Sequence, residues 1–386
     1  MVTNPAEFNT TKRRLILRDS LIFLSLTAIT AVLFVVTLFL FRSFQQHRAD
    51  LAHRWSDRGL AALRTNQSDQ AILFYRTALS YAPAEPSYEL MLAEALAQAG
   101  RTEESYNYFL GLRDERSGDG FINLQLARLA AKKHDVQGSV NFYRASIYGN
   151  WQGDGAVRRR EVRLELARYL IEQRQPGPAK TELLIAAGNA PDDPGLDITL
   201  AGLLEQTGAS SEALGLYQKA LVHQPDNQTA LSEAGRLAYD RGDYATAIAL
   251  LEREVRQQPG NEENTALLAK ARRIAQLIPD ETLPARERVD RILEARAIAK
   301  NRWNTCAPQI DVPQESLPSL GDRWAGEDAT TSRSALLHDS DKQRGALQLI
   351  YDTEIQTSSH CAAPTGDDAL LLLLAQSSAL EGGSHH

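Results

Sequence analysis

The stretch ALGLYQKALVHQP, residues 213–225, contains a spacing that recurs along the chain. Ala213 is followed by Tyr217 after four residues, by Ala220 after three more, and by Pro225 after another five. Further copies, some with Leu, Phe, Glu or Ser at these positions, begin at Ala71, Ser105, Ser139, Ala179 and Ala247. A spacing that is held at a period of 34 residues is typical of a repeat architecture.

Each copy is preceded by a companion segment with small-residue landmarks of its own, such as Ala234 and Gly235. The combined pattern resembles the tetratricopeptide repeat family over residues 52–261, with six extra residues at 154–159. The resemblance implies six pairs of helices, each covering the apolar face of the previous pair. We therefore predict an all-α fold, a tetratricopeptide (TPR) α-solenoid superhelix preceded by one N-terminal transmembrane helix.

The apolar segment LIFLSLTAITAVLFVVTLFLF, residues 21–41, predicts that transmembrane helix. It contains no charged residue, Pro or Gly, and as a helix it spans roughly 30 Å, the thickness of a bilayer core. We assign residues 20–41 to the membrane and 42–51 to a linker. A cleaved signal peptide is the alternative, although its apolar region is usually shorter and no small-residue cleavage site follows Phe41.

Basic residues on the two sides of the apolar segment favour one orientation by a small margin. Four precede it and three follow it: Lys12, Arg13, Arg14 and Arg18, then Arg42, Arg48 and Arg54. The positive-inside rule then places residues 1–19 in the cytoplasm. We predict a single-pass inner-membrane protein whose repeats lie outside the cytoplasm.

The pattern changes after the repeats. Residues 262–303 predict a capping pair of helices, and residues 304–386 predict an irregular tail. Within the tail, residues 306–341 wrap over the array or are partly disordered, because they are rich in Pro, Ser, Gly and Asp. Residues 346–357 fit either a helix or a strand. Residues 368–375 are too short to cross a membrane and predict a docked helix or a contact site.

The two cysteines, Cys306 and Cys361, both fall in this tail. Neither belongs to a CxxC motif or a Cys/His cluster, so the sequence predicts no zinc site. In an oxidising compartment we predict a disulfide between them, which would close a loop of over fifty residues. The alternative is a cytoplasmic protein with two unpaired cysteines.

No catalytic motif is present, and we predict no enzyme activity, cofactor, metal or small-molecule substrate. The net charge of −7 argues against nucleic acid as the partner. Proteins are the expected partners, because the first helices of such repeats line a concave groove. Four basic residues predict an interrupted cationic track there that binds acidic segments: Arg128, Arg168, Arg236 and Lys270. The alternative is that these are ordinary solvated charges.

The sequence thus predicts a membrane-anchored scaffold that mediates protein–protein interactions during assembly of a cell-envelope complex. A dedicated structural subunit of one large membrane complex is an alternative reading. An enzyme with a cryptic site in the tail is a third.

Overall fold

The computed structural model describes residues 5–83, 85–307 and 318–382, and these residues form helices and no strand. The all-α prediction is therefore confirmed for this part of the chain. In chain order, helices α1 to α18 are Pro5–Arg64, Ser68–Tyr81, Pro86–Gln98, Thr102–Glu115, Gly120–Lys132, Val136–Ile147, Gly155–Glu172, Pro176–Gly188, Pro194–Gln206, Ser210–His223, Gln228–Asp240, Tyr244–Gln257, Glu262–Leu277, Ala285–Cys306, Pro318–Thr330, Arg333–His338, Ser340–His360 and Asp367–Gly382. They form two compact units, and the first ends at Tyr169.

Helices α1 to α6 form three helix pairs in the first unit, and α9 to α12 form two in the second. The turn inside each of these pairs, and the turn between α7 and α8, places one residue in the left-handed region. These residues are Asn66, Gly100, His134, Arg174, Gly208 and Gly242, with φ between +56° and +79°. They are spaced by 34 residues, except for 40 between the third and the fourth. The six extra residues lengthen a helix, because α7 has 18 residues while α5 and α9 have 13.

Small residues allow the two helices of a pair to lie close together. A Cβ atom on Gly59 would lie 2.7 Å from the ring of Tyr75, and one on Gly235 would lie 2.8 Å from the side chain of Leu251. Ala71 and Ala213, which begin two copies of the repeated spacing, are completely buried. The landmark residues of the sequence pattern are thus the residues at the tight helix crossings.

We expect Ala71→Trp or Ala213→Trp to destabilise the repeat that carries it by about 1–3 kcal/mol or more, because an indole cannot fit a close crossing. The measurement is thermal unfolding followed by circular dichroism. Leu73→Trp is the matched control, since Leu73 lies on the same helix as Ala71 and is 62% exposed. Unchanged melting of both alanine variants would show that these residues are not at tight crossings.

Helix α1 is continuous for 60 residues and carries the apolar segment at residues 21–41 directly into the first repeat. Residues 42–51, which we expected to form a linker, are helical. Large apolar side chains of the segment are 42–73% exposed, so no other part of the described chain covers them. It is the one described helix that is long and apolar enough to span a membrane.

Beyond the segment, helix α1 contacts the second helix of the first pair. Arg48 Nη2 donates a hydrogen bond to the carbonyl of Ser80 on α2, 3.3 Å away.

The tail predicted to be irregular contains four helices between residues 318 and 382, so that part of the prediction is wrong. The four tail helices join the two capping helices, α13 and α14, around one hydrophobic core. Each tail helix contributes completely or almost completely buried side chains to it: Leu320 and Trp324, Leu336, Ile350, and Leu371. The ambiguous segment 346–357 lies within helix α17, and segment 368–375 lies within the docked helix α18.

Apolar residues in the tail are few, which is why composition suggested irregular structure, but they recur at helical spacing. Ala346, Leu349, Ile350 and Thr353 lie on one buried face of α17. Buried residues of seven helices, α12 to α18, form this core, so no single tail segment carries a strong signal. The remaining tail residues, 308–317 and 383–386, lie outside the described part of the chain.

Cys306, at the end of α14, lies beside Cys361, which follows α17, with 5.9 Å between their Cα atoms and their sulfur atoms within bonding distance. That Cα separation is typical of disulfides.

We predict that the bridge forms in the cell. Alkylation of the denatured, unreduced protein from intact cells should leave both thiols unlabelled, because disulfides persist in the oxidising compartment that we expect for the repeats. A reduced sample, in which both cysteines label, is the control. Full labelling of both without reduction would contradict the pairing and weaken the extracytoplasmic placement.

Candidate protein-binding groove

A cavity of about 420 Å³ lies in the first unit, between the first helices of three successive pairs, α3, α5 and α7, and the segment before α7. Its apolar lining is formed by Leu90, Phe121, Leu124, Trp151 and Val162. A cavity of this size accommodates one or two side chains of a bound segment. The groove side of the first unit therefore contains a preformed apolar recess.

Trp151 is fixed against the start of α5 by close backbone contacts. Its Nε1 donates to the carbonyl of Ser146 at 3.0 Å. A Cβ atom on Gly120 would lie 2.5 Å from the Trp151 ring, so glycine is required there. The neighbouring Asn150 accepts a hydrogen bond from the Gly120 amide at 2.9 Å and donates one to the Gly118 carbonyl at 2.7 Å. One wall of the cavity is thus anchored to the adjacent repeat.

Some charged side chains at the rim of the cavity form ion pairs, and others have no partner within the described part of the chain. Arg158 Nη1 donates to Glu161 at 3.0 Å. Arg116 is exposed, and its side chain has no hydrogen-bond or ion-pair partner within the described part of the chain. An acidic group entering the cavity would find Arg116 available without breaking an existing ion pair.

Arg128, the first residue of the predicted cationic track, also lines this cavity but is paired. Its Nε and Nη2 atoms both donate to the Glu165 carboxylate at 2.7 Å. Tyr143 Oη donates to the same carboxylate at 2.9 Å. Burial favours the neutral form of Glu165, but the hydrogen bonds from Arg128 and Tyr143, with the nearby Arg168, hold its pKa below the usual value. This carboxylate is ionised and fully engaged.

The other three members of the cationic track also differ in whether their side chains are paired. In the second unit, Arg236 contacts three carboxylates, those of Glu205, Glu233 and Asp240. The side chains of Arg168 and Lys270 are exposed, and neither forms a hydrogen bond or an ion pair within residues 5–83, 85–307 and 318–382, although Arg168 lies near the Glu165 carboxylate. The four residues are therefore not equally available to an acidic partner, and the idea that they bind acidic segments stays a prediction.

Sequence reasoning missed the cavity and the ion pairs that neutralise Arg128 and Arg236. The ion pairs depend on which residues of adjacent first helices face each other, and a single repeat pattern does not specify this. Two glycines beside Trp151, at positions 149 and 153, were a usable signal for an ordered segment between repeats.

Residues 56–119 and 198–262 match the family model described as a tetratricopeptide repeat. These segments fall on α1–α4 and on α9–α12, so the chain contains tetratricopeptide repeats, as its sequence pattern indicates. Proteins with such repeats mediate protein–protein interactions, and the scaffold is typically non-catalytic. A comparison with curated proteins finds no significant match.

Several solved structures are similar to this chain at low identity. PilF of Pseudomonas aeruginosa is 17% identical, with a TM-score of 0.39 over 58% of this chain and 99% of that one. A tetratricopeptide repeat protein from Parabacteroides merdae is 13% identical, with a TM-score of 0.40 over 64% and 93%. The C-terminal part of a repeat protein from Cytophaga hutchinsonii is 13% identical, with a TM-score of 0.43 over 62% and 94%. These similarities concern the fold and carry no argument about partners.

Proposed function

We propose that this chain is a membrane-anchored scaffold whose tetratricopeptide repeats bind protein partners outside the cytoplasm during assembly of a cell-envelope complex. It acts by binding and not by catalysis. The observation that carries the proposal is helix α1, in which an uncovered apolar segment of bilayer length continues into the first repeat without a break.

The continuous helix supports a role in which the repeats are displayed at a fixed position near the membrane. Phe41 and Arg48 are seven residues apart, which is about 10 Å along a helix. Arg48 is hydrogen-bonded to the end of α2, so the first helix pair begins close to the lipid headgroups in this arrangement. The proximity of Cys306 and Cys361 supports an oxidising compartment for the repeats.

The cavity of the first unit is our candidate for the partner site. It combines an apolar lining with the unpaired Arg116 at its rim, and Arg168 lies on one of the three helices that form it. A segment with an apolar side chain next to an acidic one would use both features. The acidic preference that we predicted from the sequence is therefore assigned to the unpaired cations and not to Arg128 or Arg236.

We expect the variant Arg116→Glu/Arg168→Glu to lose most of its partners when the protein is cross-linked in cells and purified from solubilised membranes. Charge reversal introduces repulsion towards an acidic segment without breaking a hydrogen bond within the described chain. Arg64→Glu/Lys132→Glu is the matched control, since both of these cations are exposed near helix ends. Equal recovery of the same partners by both variants would exclude this groove.

The wild-type purification separates an adaptor from a dedicated subunit. Several substoichiometric partners indicate an adaptor, while one stoichiometric set indicates a subunit of a single complex. Recovery of no specific protein would contradict the scaffold function itself.

A further inference from the structure

Three tyrosines occupy the same position of their repeats, in the second helix of the pair: Tyr75, Tyr143 and Tyr217. All three are almost completely buried. In two of them the hydroxyl donates to a glutamate that also accepts from an arginine. Tyr143 donates to Glu165, which binds Arg128, and Tyr217 donates to Glu205 at 3.1 Å, which binds Arg236. The repeat thus favours a tyrosine, a carboxylate and a cation together at this point of the groove.

The third tyrosine lacks this arrangement. Tyr75 is 0% exposed, and its hydroxyl oxygen is buried without a hydrogen-bond partner. The hydroxyl end of its ring lies against α1 at Gly59. Burial, with the nearby carboxylates of Glu94 and then Asp57, raises the pKa of Tyr75 to about 12. Two carboxylates therefore lie near this hydroxyl, as Glu205 and Glu233 do at Tyr217.

Among the residues that the structure describes, no cation completes the Tyr75 cluster as Arg128 and Arg236 complete the other two. Glu94 occupies the repeat position that Arg128 and Arg236 occupy, and the equivalent residue of the first repeat is Leu60. Glu94 is half-buried, it has no hydrogen-bond or ion-pair partner in the described chain, and burial raises its pKa.

Two basic residues that flank Asp57 in the sequence of α1 are engaged elsewhere. His53 contacts Asp57 at 3.1 Å, and both side chains are exposed. Arg58 stacks on the ring of Trp55, 4.5 Å from its centre. No cation of the described chain is therefore paired with Glu94, although a half-buried carboxylate is stabilised strongly by an opposite charge.

We propose that the cluster formed by Tyr75, Glu94 and Asp57 binds a basic side chain, an arginine or a lysine, of the protein partner. The partner then supplies the cation that the chain itself supplies to the equivalent tyrosines. Glu94 accepts the charge-assisted hydrogen bonds, and the exposed Asp57 adds long-range attraction. The inference rests on the proposed scaffold function and adds a specific chemistry to it.

A lipid amine does not reach this cluster in a chain that is anchored as proposed. Leu60 is 19 residues beyond Phe41 along α1, which corresponds to about 28 Å of helix. The headgroup layer on one side of a bilayer is only about 5–8 Å thick. A soluble protein segment is therefore the occupant that the geometry favours.

The test uses the full chain in detergent micelles at pH 7 and low salt. Two pools of short peptides, randomised except at a central position, are passed over the immobilised protein and quantified by mass spectrometry. The central residue is arginine in one pool and citrulline, its uncharged isostere, in the other. We expect the wild-type chain to retain the arginine pool about tenfold better, the effect of one hydrogen-bonded charge pair.

Two variants assign the preference to the cluster. Glu94→Gln should reduce the ratio of arginine to citrulline peptides to about one, while Glu115→Gln, an exposed control in the same unit, should leave it unchanged. Leu60→Arg supplies a cation from the chain itself and should also abolish the preference. Circular dichroism confirms that each variant is folded.

The outcomes distinguish this inference from the function on which it rests. Equal retention of the two pools by the wild-type chain, or a preference that survives Glu94→Gln, overturns the cation site alone. If neither pool is retained above the bare support, the proposed scaffold function fails together with it.

Discussion

Replacing Ile29 and Leu33 with arginine should move the chain from the membrane fraction to the soluble fraction. Both residues lie near the middle of the apolar segment and are more than half exposed, so the substitution removes no packing within the described protein. An arginine at the centre of a membrane helix costs about 2.5–3.5 kcal/mol on insertion scales. Two of them outweigh much of the gain from the remaining apolar residues.

The measurement is fractionation of cells after carbonate extraction. Leu73→Arg/Val222→Arg is the matched control, because it introduces two arginines at exposed apolar positions of the repeats. That variant should remain in the membrane. If the Ile29→Arg/Leu33→Arg chain also remains there, the segment is not the anchor. A wild-type chain recovered in the soluble fraction without its first 41 residues would instead support the cleaved signal peptide.

The repeats could be predicted from sequence because each landmark has one local structural reason. Ala71 and Ala213 are small where two helices cross, and the left-handed turns at Gly100, Gly208 and Gly242 favour glycine. The same structural requirements apply in all six copies. The pattern therefore remains recognisable where a turn position carries another residue, such as His134 or Arg174. Local sequence is sufficient when every unit contacts mainly its neighbours.

The C-terminal helices could be predicted less well, although their boundaries leave a signal. Ser332 caps α16 by accepting from the Ala335 amide at 3.2 Å, and Asp339 caps α17 by accepting from the Asp341 amide at 2.9 Å. Such caps indicate where a helix begins but not what its buried face contacts. The core that orders this region is built from seven helices, and no single segment shows that they pack together.

The candidate site was the least predictable part, because charge pairing is a property of two surfaces. The spacing placed Arg128 and Arg236 on the groove side but could not show that Glu165 and Glu205 neutralise them. The unpaired Glu94 was not identified for the same reason. Its significance appears only when the surroundings of Tyr75 are compared with those of equivalent tyrosines.

The second large effect concerns a buried carboxylate in the C-terminal unit. Glu354 on α17 is 0% exposed, and neither of its oxygens has a hydrogen-bond partner. Arg302 Nε is 3.8 Å away, but its guanidinium donates instead to the Thr357 hydroxyl at 3.0 Å and the Ala362 carbonyl at 2.8 Å. Burial, with a smaller contribution from Asp368 and against the opposing effect of Arg302, raises the pKa of Glu354 to about 8.

Because the folded state holds this carboxyl in its neutral form, the stability of the unit should fall as pH rises. The contribution is fully present below the unfolded pKa of about 4.3 and is lost progressively as pH rises to about 8. Each pH unit in that window costs at most about 1.4 kcal/mol, so the total is a few kcal/mol at most. Glu354→Gln keeps the shape but cannot ionise, and it should be more stable than the wild type at pH 8.5.

Urea unfolding at pH 5 and at pH 8.5 measures this difference. We expect the free energy of unfolding of the wild-type chain to drop between the two pH values and that of Glu354→Gln to drop much less. Asp368, whose pKa is also raised by burial, remains in the variant and accounts for part of the residual dependence. Glu263→Gln, at an exposed position of the same unit, should follow the wild type. If Glu354→Gln shows the wild-type dependence, this carboxyl is already ionised near neutral pH, and Arg302 must then stabilise it more strongly than the observed hydrogen bonds indicate.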